Sequence, residues 1–93
     1  MAHVILLGGL RRVAGRARVA VEADTVGSLL ASLEMAIGRE GGAALCRDGG
    51  LQPDVEVLVN GRHIQFLAGL GTPLGPEDQV TIFQSGLRGF PGG

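Results

Sequence analysis

The chain has 93 residues, enough for one modest hydrophobic core and not for two, and its 45% hydrophobic content belongs to a folded domain rather than a disordered one. A formal net charge of −1 excludes attraction to nucleic acid or to an anionic lipid surface by bulk charge. All eight basic residues are arginine, so no side chain offers a primary amine for a Schiff base or for acylation. One cysteine, Cys46, excludes an internal disulfide framework and a multi-cysteine metal site, and suits a reducing compartment. The apolar start MAHVILLGGL is too short for a signal h-region, and no later run reaches membrane-spanning length. The expectation is a soluble cytoplasmic protein with no nucleic-acid partner and no membrane.

Residues 3–7 form an apolar run stopped by Gly8 and Gly9, and residues 16–21 alternate in the manner of a half-buried strand. Together they predict a hairpin. Asp24 and Thr25 offer N-caps to a helix whose apolar residues Val26, Leu29, Leu30, Leu33 and Ile37 fall on one face. Gly38 is its natural stop, and residues 39–46 read as a short second helix weakened by Gly41 and Gly42. The segment DGGLQP is turn chemistry. Residues 55–59 form a strand closed by the turn pair Asn60-Gly61, with a short return over 62–65. After an irregular stretch, residues 79–83 give a last strand with Val80 and Ile82 on one face and Thr81 and Phe83 on the other.

One helix with one broad apolar face needs one sheet to cover, which predicts an α+β domain: a mixed sheet of four to five strands with one main helix across it. The strand that follows the hairpin and helix is expected beside the first strand. Residues 1–83 are read as the domain and residues 84–93 as a flexible C-terminal tail.

Little in the chain suggests catalysis. The glycine pairs lack the Gly-Lys-Ser/Thr of a phosphate loop, His3 and His63 have no second ligand at metal spacing, and no acid pair or nucleophile-base set stands out. Cys46, beside a leucine and two alanines, reads as a small hydrophobe. No enzymatic activity is therefore expected of the chain acting alone. The unusual group is the main-chain carboxylate of Gly93, at the end of SGLRGFPGG. A carboxylate is a poor electrophile at neutral pH, but an adenylate of it is open to attack by sulfur. Bare glycines would let a partner thread such an end into a closed site. Extended, residues 84–93 reach about 30 Å at roughly 3.3 Å per residue.

The stretch over residues 48–83, with VNGRHI, then FLAGLGTPL, then an acidic turn before QVTIF, resembles ubiquitin-like sulfur carriers of the MoaD/ThiS superfamily, above all the branch holding the cysteine-biosynthesis carriers. The upstream DTVGSLLASLE matches the family's capped helix, and Gly92-Gly93 its ending. The resemblance implies a β-grasp fold and a carrier role. An E1-like adenylating enzyme of the MoeB/ThiF type would spend ATP to adenylate Gly93, sulfur would convert it to a thiocarboxylate, and a sulfur-accepting synthase would receive the sulfur. No cofactor would be bound permanently. The resemblance also implies that Gly92, Pro91, Phe90 and Gly89 thread into the partner, and that Phe66, Leu67, Leu70, Phe83 and Arg88 offer the docking surface, although some of the apolar four could instead complete the core. The connection QSGLRGFP is longer than in many relatives, and Phe90 stands close to the reactive end. Alternatives from other classes are a protein modifier joined through Gly93 to target lysines, and a β-grasp interaction module whose terminus is never activated.

Overall fold

Valine, leucine and isoleucine at alternate positions bring the strands to one sheet. A computed structural model describes residues 1–47 and 50–85. In chain order these are β1 (Ala2–Leu6), α1 (Gly8–Ala14), β2 (Arg18–Val21), α2 (Val26–Leu45), β3 (Cys46–Arg47), β4 (Gly50–Leu51), β5 (Val55–Val59), β6 (Arg62–His63), two single 3₁₀ turns (Ile64–Phe66 and Gly69–Gly71), and β7 (Gln79–Gln84). The main sheet runs β2-β1-β7-β5-β6, with β1 and β7 parallel and the other pairs antiparallel. It is the five-stranded mixed sheet of a β-grasp fold, as expected. The strand beside β1 is β7 and not β5, so the last strand of the described chain lies at the centre of the sheet.

Register aligns the inward residues in rows. Val19, Val4, Val80 and Val59 lie across four strands, and Leu6, Ile82 and Val57 across three. All seven are buried, and α2 covers them with Val26, Leu29, Leu30 and Leu33, each at most 4% exposed. Every such leucine contributes roughly 1.5–3 kcal/mol relative to exposure. A capping box starts the helix: the Ser28 amide donates to Thr25 Oγ1 at 3.1 Å and the Thr25 amide donates to Ser28 Oγ at 3.1 Å. Gly38 interrupts α2 with φ 85° and ψ 180°, leaving helical segments at 26–37 and 39–45 on either side of the expected stop.

Two features differ from the sequence expectation. β1 and β2 pair antiparallel as a hairpin would, but α1 joins them, burying Leu10 in the core and packing Ala14 against it. Glycines 8 and 9 read as a strand stop; here Gly8 opens the helix at φ 57°, and Gly9 lies close to β7, where a Cβ would fall 2.6 Å from Gln84 Oε1. The second feature is the small β3-β4 hairpin, which pairs Cys46, expected at the end of the short second helix, with Leu51, expected in the turn.

Candidate functional site

The side of the sheet opposite α2 carries the outward residues of the central strands. The register sets Ile5, Thr81, Leu58 and His63 in one row and Phe83 beside Glu56 in the next. All six side chains are partly exposed. The centre of this surface is apolar, and its β6 side is polar. There the amide of Gln65 donates to His63 Nδ1 at 3.0 Å, which leaves the imidazole proton on Nε2, facing Glu56 Oε1 at 2.5 Å. The same Gln65 contact caps the 3₁₀ turn that carries Phe66.

Phe66 is 73% exposed, and its ring meets the His63 ring edge-on with centroids 6.5 Å apart, which sets it at the β6 border of this surface. Phe83 lies one residue before the end of β7. Leu67 is partly buried against the core and lines a shallow groove of about 530 Å³ with Val59, Asn60 and Arg62. Leu70 sits elsewhere, at the α2 side, where its carbonyl would lie 3.2 Å from a Cβ at Gly27. The four apolar residues singled out in the sequence therefore do not form one patch: Phe66 and Phe83 belong to the open sheet face, while Leu70 borders the helix. Arg88, Gly89, Phe90, Pro91, Gly92 and Gly93 lie outside the described residues. Ile5 and Leu58 were not singled out in the sequence, because only the register reveals that they flank Thr81.

β7 delivers the chain to this surface. Beyond its last residue, Ser85 donates its amide to the Asp54 carbonyl at 2.7 Å, extending the attachment to the β5 side. Before β7, the Asn60 carboxamide holds the strand entry by accepting from the Gln79 amide and donating to Asp78, both at 2.9 Å.

Cys46 lines a groove of about 380 Å³ between α2 and the β3-β4 hairpin, with Leu30, Glu34 and Leu51. Burial, then the charge of Glu34 and a hydrogen bond to it, push the thiol up to about 11, so it is protonated at neutral pH. Among the described residues no group of His, Cys, Asp or Glu is arranged to hold a metal ion, and no helix is long and apolar enough to cross a membrane.

Known proteins resemble this chain in sequence and in fold. The chain is 38% identical over 76 residues to small archaeal modifier protein 3 of Haloferax volcanii, covering 78% of this chain and 82% of that protein. It is 35% identical over 68 residues to an Archaeoglobus fulgidus protein provisionally named a sulfur carrier, covering 73% and 77%. The crystal structure of Mycobacterium tuberculosis CysO superimposes with a TM-score of 0.77 at 26% identity, covering 91% of this chain and 99% of that one. The pattern of the ThiS family matches residues 4–85, from the first strand through the end of the last. On that match and on its β-grasp sheet, the chain belongs to the ThiS family of ubiquitin-like sulfur carriers.

Proposed function

We propose that the chain carries sulfur on its C-terminal residue. In this reading the Gly93 carboxylate attacks the α-phosphate of ATP in an E1-like enzyme of the MoeB/ThiF type, releasing pyrophosphate and forming an acyl-adenylate. A sulfur donor then displaces AMP to leave a thiocarboxylate. The product delivers its sulfur to a synthase in cofactor, cysteine or specialised-metabolite biosynthesis, in the cytoplasm. The chain is a co-substrate in these steps and binds no resident cofactor; ATP belongs to the activating enzyme.

Membership of the ThiS family together with the Gly92-Gly93 ending carries the proposal. The chemistry agrees with it: an unactivated carboxylate resists nucleophiles, whereas a thiocarboxylate stays ionised and nucleophilic at neutral pH. Gly89 to Gly92 thread into the partner, with Phe90 and Arg88 gripping near its mouth. Phe83 and Phe66, joined by Ile5 and Leu58, dock the open sheet face; Leu67 and Leu70 serve a second contact along the loop. The test is the intact mass of the protein after incubation with the adenylating enzyme, ATP and sulfide. A gain equal to the difference between sulfur and oxygen is expected, and removal of Gly93 should abolish it.

A second reading, attachment through Gly93 to lysines of target proteins, is favoured by the 38% identity to a small archaeal modifier protein. Both readings require activation. Lysine-linked conjugates in cells support modification, and the absence of lysine from the chain excludes branching through its own side chains.

A further inference from the structure

β2 ends the sheet, so one of its edges has no strand partner among the described residues. Such an edge is a template for another strand, and proteins commonly guard it with lysine, proline, a bulge or a covering element. Here the edge carries charge of both signs. Residues 16–24 read Arg-Ala-Arg-Val-Ala-Val-Glu-Ala-Asp, basic before Ala20 and acidic after it, with the apolar residues mirrored about the same alanine. Turned antiparallel on a second copy with Ala20 at the two-fold axis, the segment sets Arg18 opposite Glu22 and Val19 opposite Val21; Arg16, which donates to the Ala36 carbonyl at 3.4 Å, and Asp24 lie beyond the ends of β2.

The backbone supports this alignment. Leu6 donates to the Ala17 carbonyl at 2.8 Å, and β1 pairs with β2 as Val4 with Val19 and Ala2 with Val21. By antiparallel alternation Ala17, Val19 and Val21 direct their amides and carbonyls to β1, while Arg18 and Ala20 direct theirs to the open edge. Ala20 is thus able to exchange both backbone bonds with its own counterpart across the axis. Its small side chain meets only another alanine there. Arg18, Ala20 and Glu22 are exposed, and Val19 and Val21 face the core. Neither Arg18 nor Glu22 has an ion-pair partner among the described residues.

We propose that β2 is a self-association edge, at which two copies of this chain join antiparallel about Ala20 into one continuous sheet. Charge selects this alignment over the alternatives. A slip of two residues sets Arg18 or Glu22 opposite Ala20, and parallel pairing brings Arg18 against Arg18. The contact leaves β7 free, since that strand lies at the centre of each sheet. A strand edge this short buries less than a standard interface, so association depends on concentration and weakens with salt.

Sedimentation velocity on the full chain across a concentration series tests the proposal, with Arg18→Glu, Glu22→Arg and the double exchange Arg18→Glu/Glu22→Arg. Wild type should dimerise with increasing concentration. Each single reversal places like charges opposite twice per dimer and should raise the dissociation constant about tenfold or more. The double exchange should restore it. Mixing the two single variants should also restore pairing, as a heterodimer, because each then meets its complement. Exchange of the Arg18 and Ala20 amides in wild type, slowing as concentration rises, checks the same edge without any substitution. A wild type that stays monomeric, reversals that associate as wild type does, or a mixture that fails to pair would each overturn the proposal.

Discussion

The side-chain amide of Asn60 donates to Asp78 Oδ1 at 2.9 Å while its oxygen accepts from the Gln79 amide at the same distance, so one turn residue fastens the start of the central strand. Asn60 also holds φ 51°, beside Gly61 at φ 86°, as a two-residue hairpin turn of this hand requires. Asn60→Ala removes both bonds and forces alanine into the left-handed region. Urea denaturation should show a loss of about 1–2 kcal/mol.

Asp78 gives this turn a pH dependence. The Gly75 amide, and then the Asn60 side chain, hold its carboxyl below the ordinary 3.8. A lowered folded value contributes stability above pH 3.8 that disappears as pH falls through the folded value. The wild-type midpoint should therefore fall on acidification in that range, and Asp78→Asn should flatten this part of the profile.

Core and surface should separate cleanly in stability measurements. Leu33 is fully buried beneath the sheet, and Leu33→Ala should cost about 2–5 kcal/mol. Phe66, at 73% exposure, should change stability by less than about 0.5 kcal/mol when replaced by alanine. If Phe66 docks the adenylating enzyme, Phe66→Ala should raise the KM for the carrier while leaving its unfolding curve unchanged.

The sequence made some of this arrangement legible. The spacing of Val26, Leu29, Leu30, Leu33 and Ile37 identified the buried helix face, and Gly38 its interruption, because helix period and glycine conformation are local properties. Asn60-Gly61 located the turn for the same reason. The position of β7 between β1 and β5 was not legible, since strand order follows from long-range pairing that no local pattern encodes. Neither was α1: a segment opening on Gly8 and Gly9 has poor helix propensity, and it is tertiary burial of Leu10 that accompanies its folding. Ile5 and Leu58 escaped notice as surface residues because their neighbours across the sheet were unknown.

Gly38 tests the local part of that reading. At φ 85° and ψ 180° it occupies a region nearly restricted to glycine, and a Cβ there meets nothing within 4 Å. The cost of Gly38→Ala is then conformational rather than steric, and should be about 1–3 kcal/mol.

Cys46 should behave as a quiet thiol. With its folded value pushed from 9.0 to about 11, it is protonated at neutral pH and should react slowly with iodoacetamide, and faster once urea unfolds the chain. The raised value contributes stability that is present below pH 9.0 and lost as pH rises toward about 11. Glu34→Gln should move the alkylation profile to lower pH.

Sulfur carriage by this chain rests on the Gly93 carboxylate. Intact-mass spectrometry after incubation with a MoeB/ThiF-type enzyme, ATP and sulfide should reveal one oxygen replaced by sulfur, with fragmentation locating the change at Gly93. An unchanged mass under conditions in which the same enzyme converts its established carrier would contradict the account.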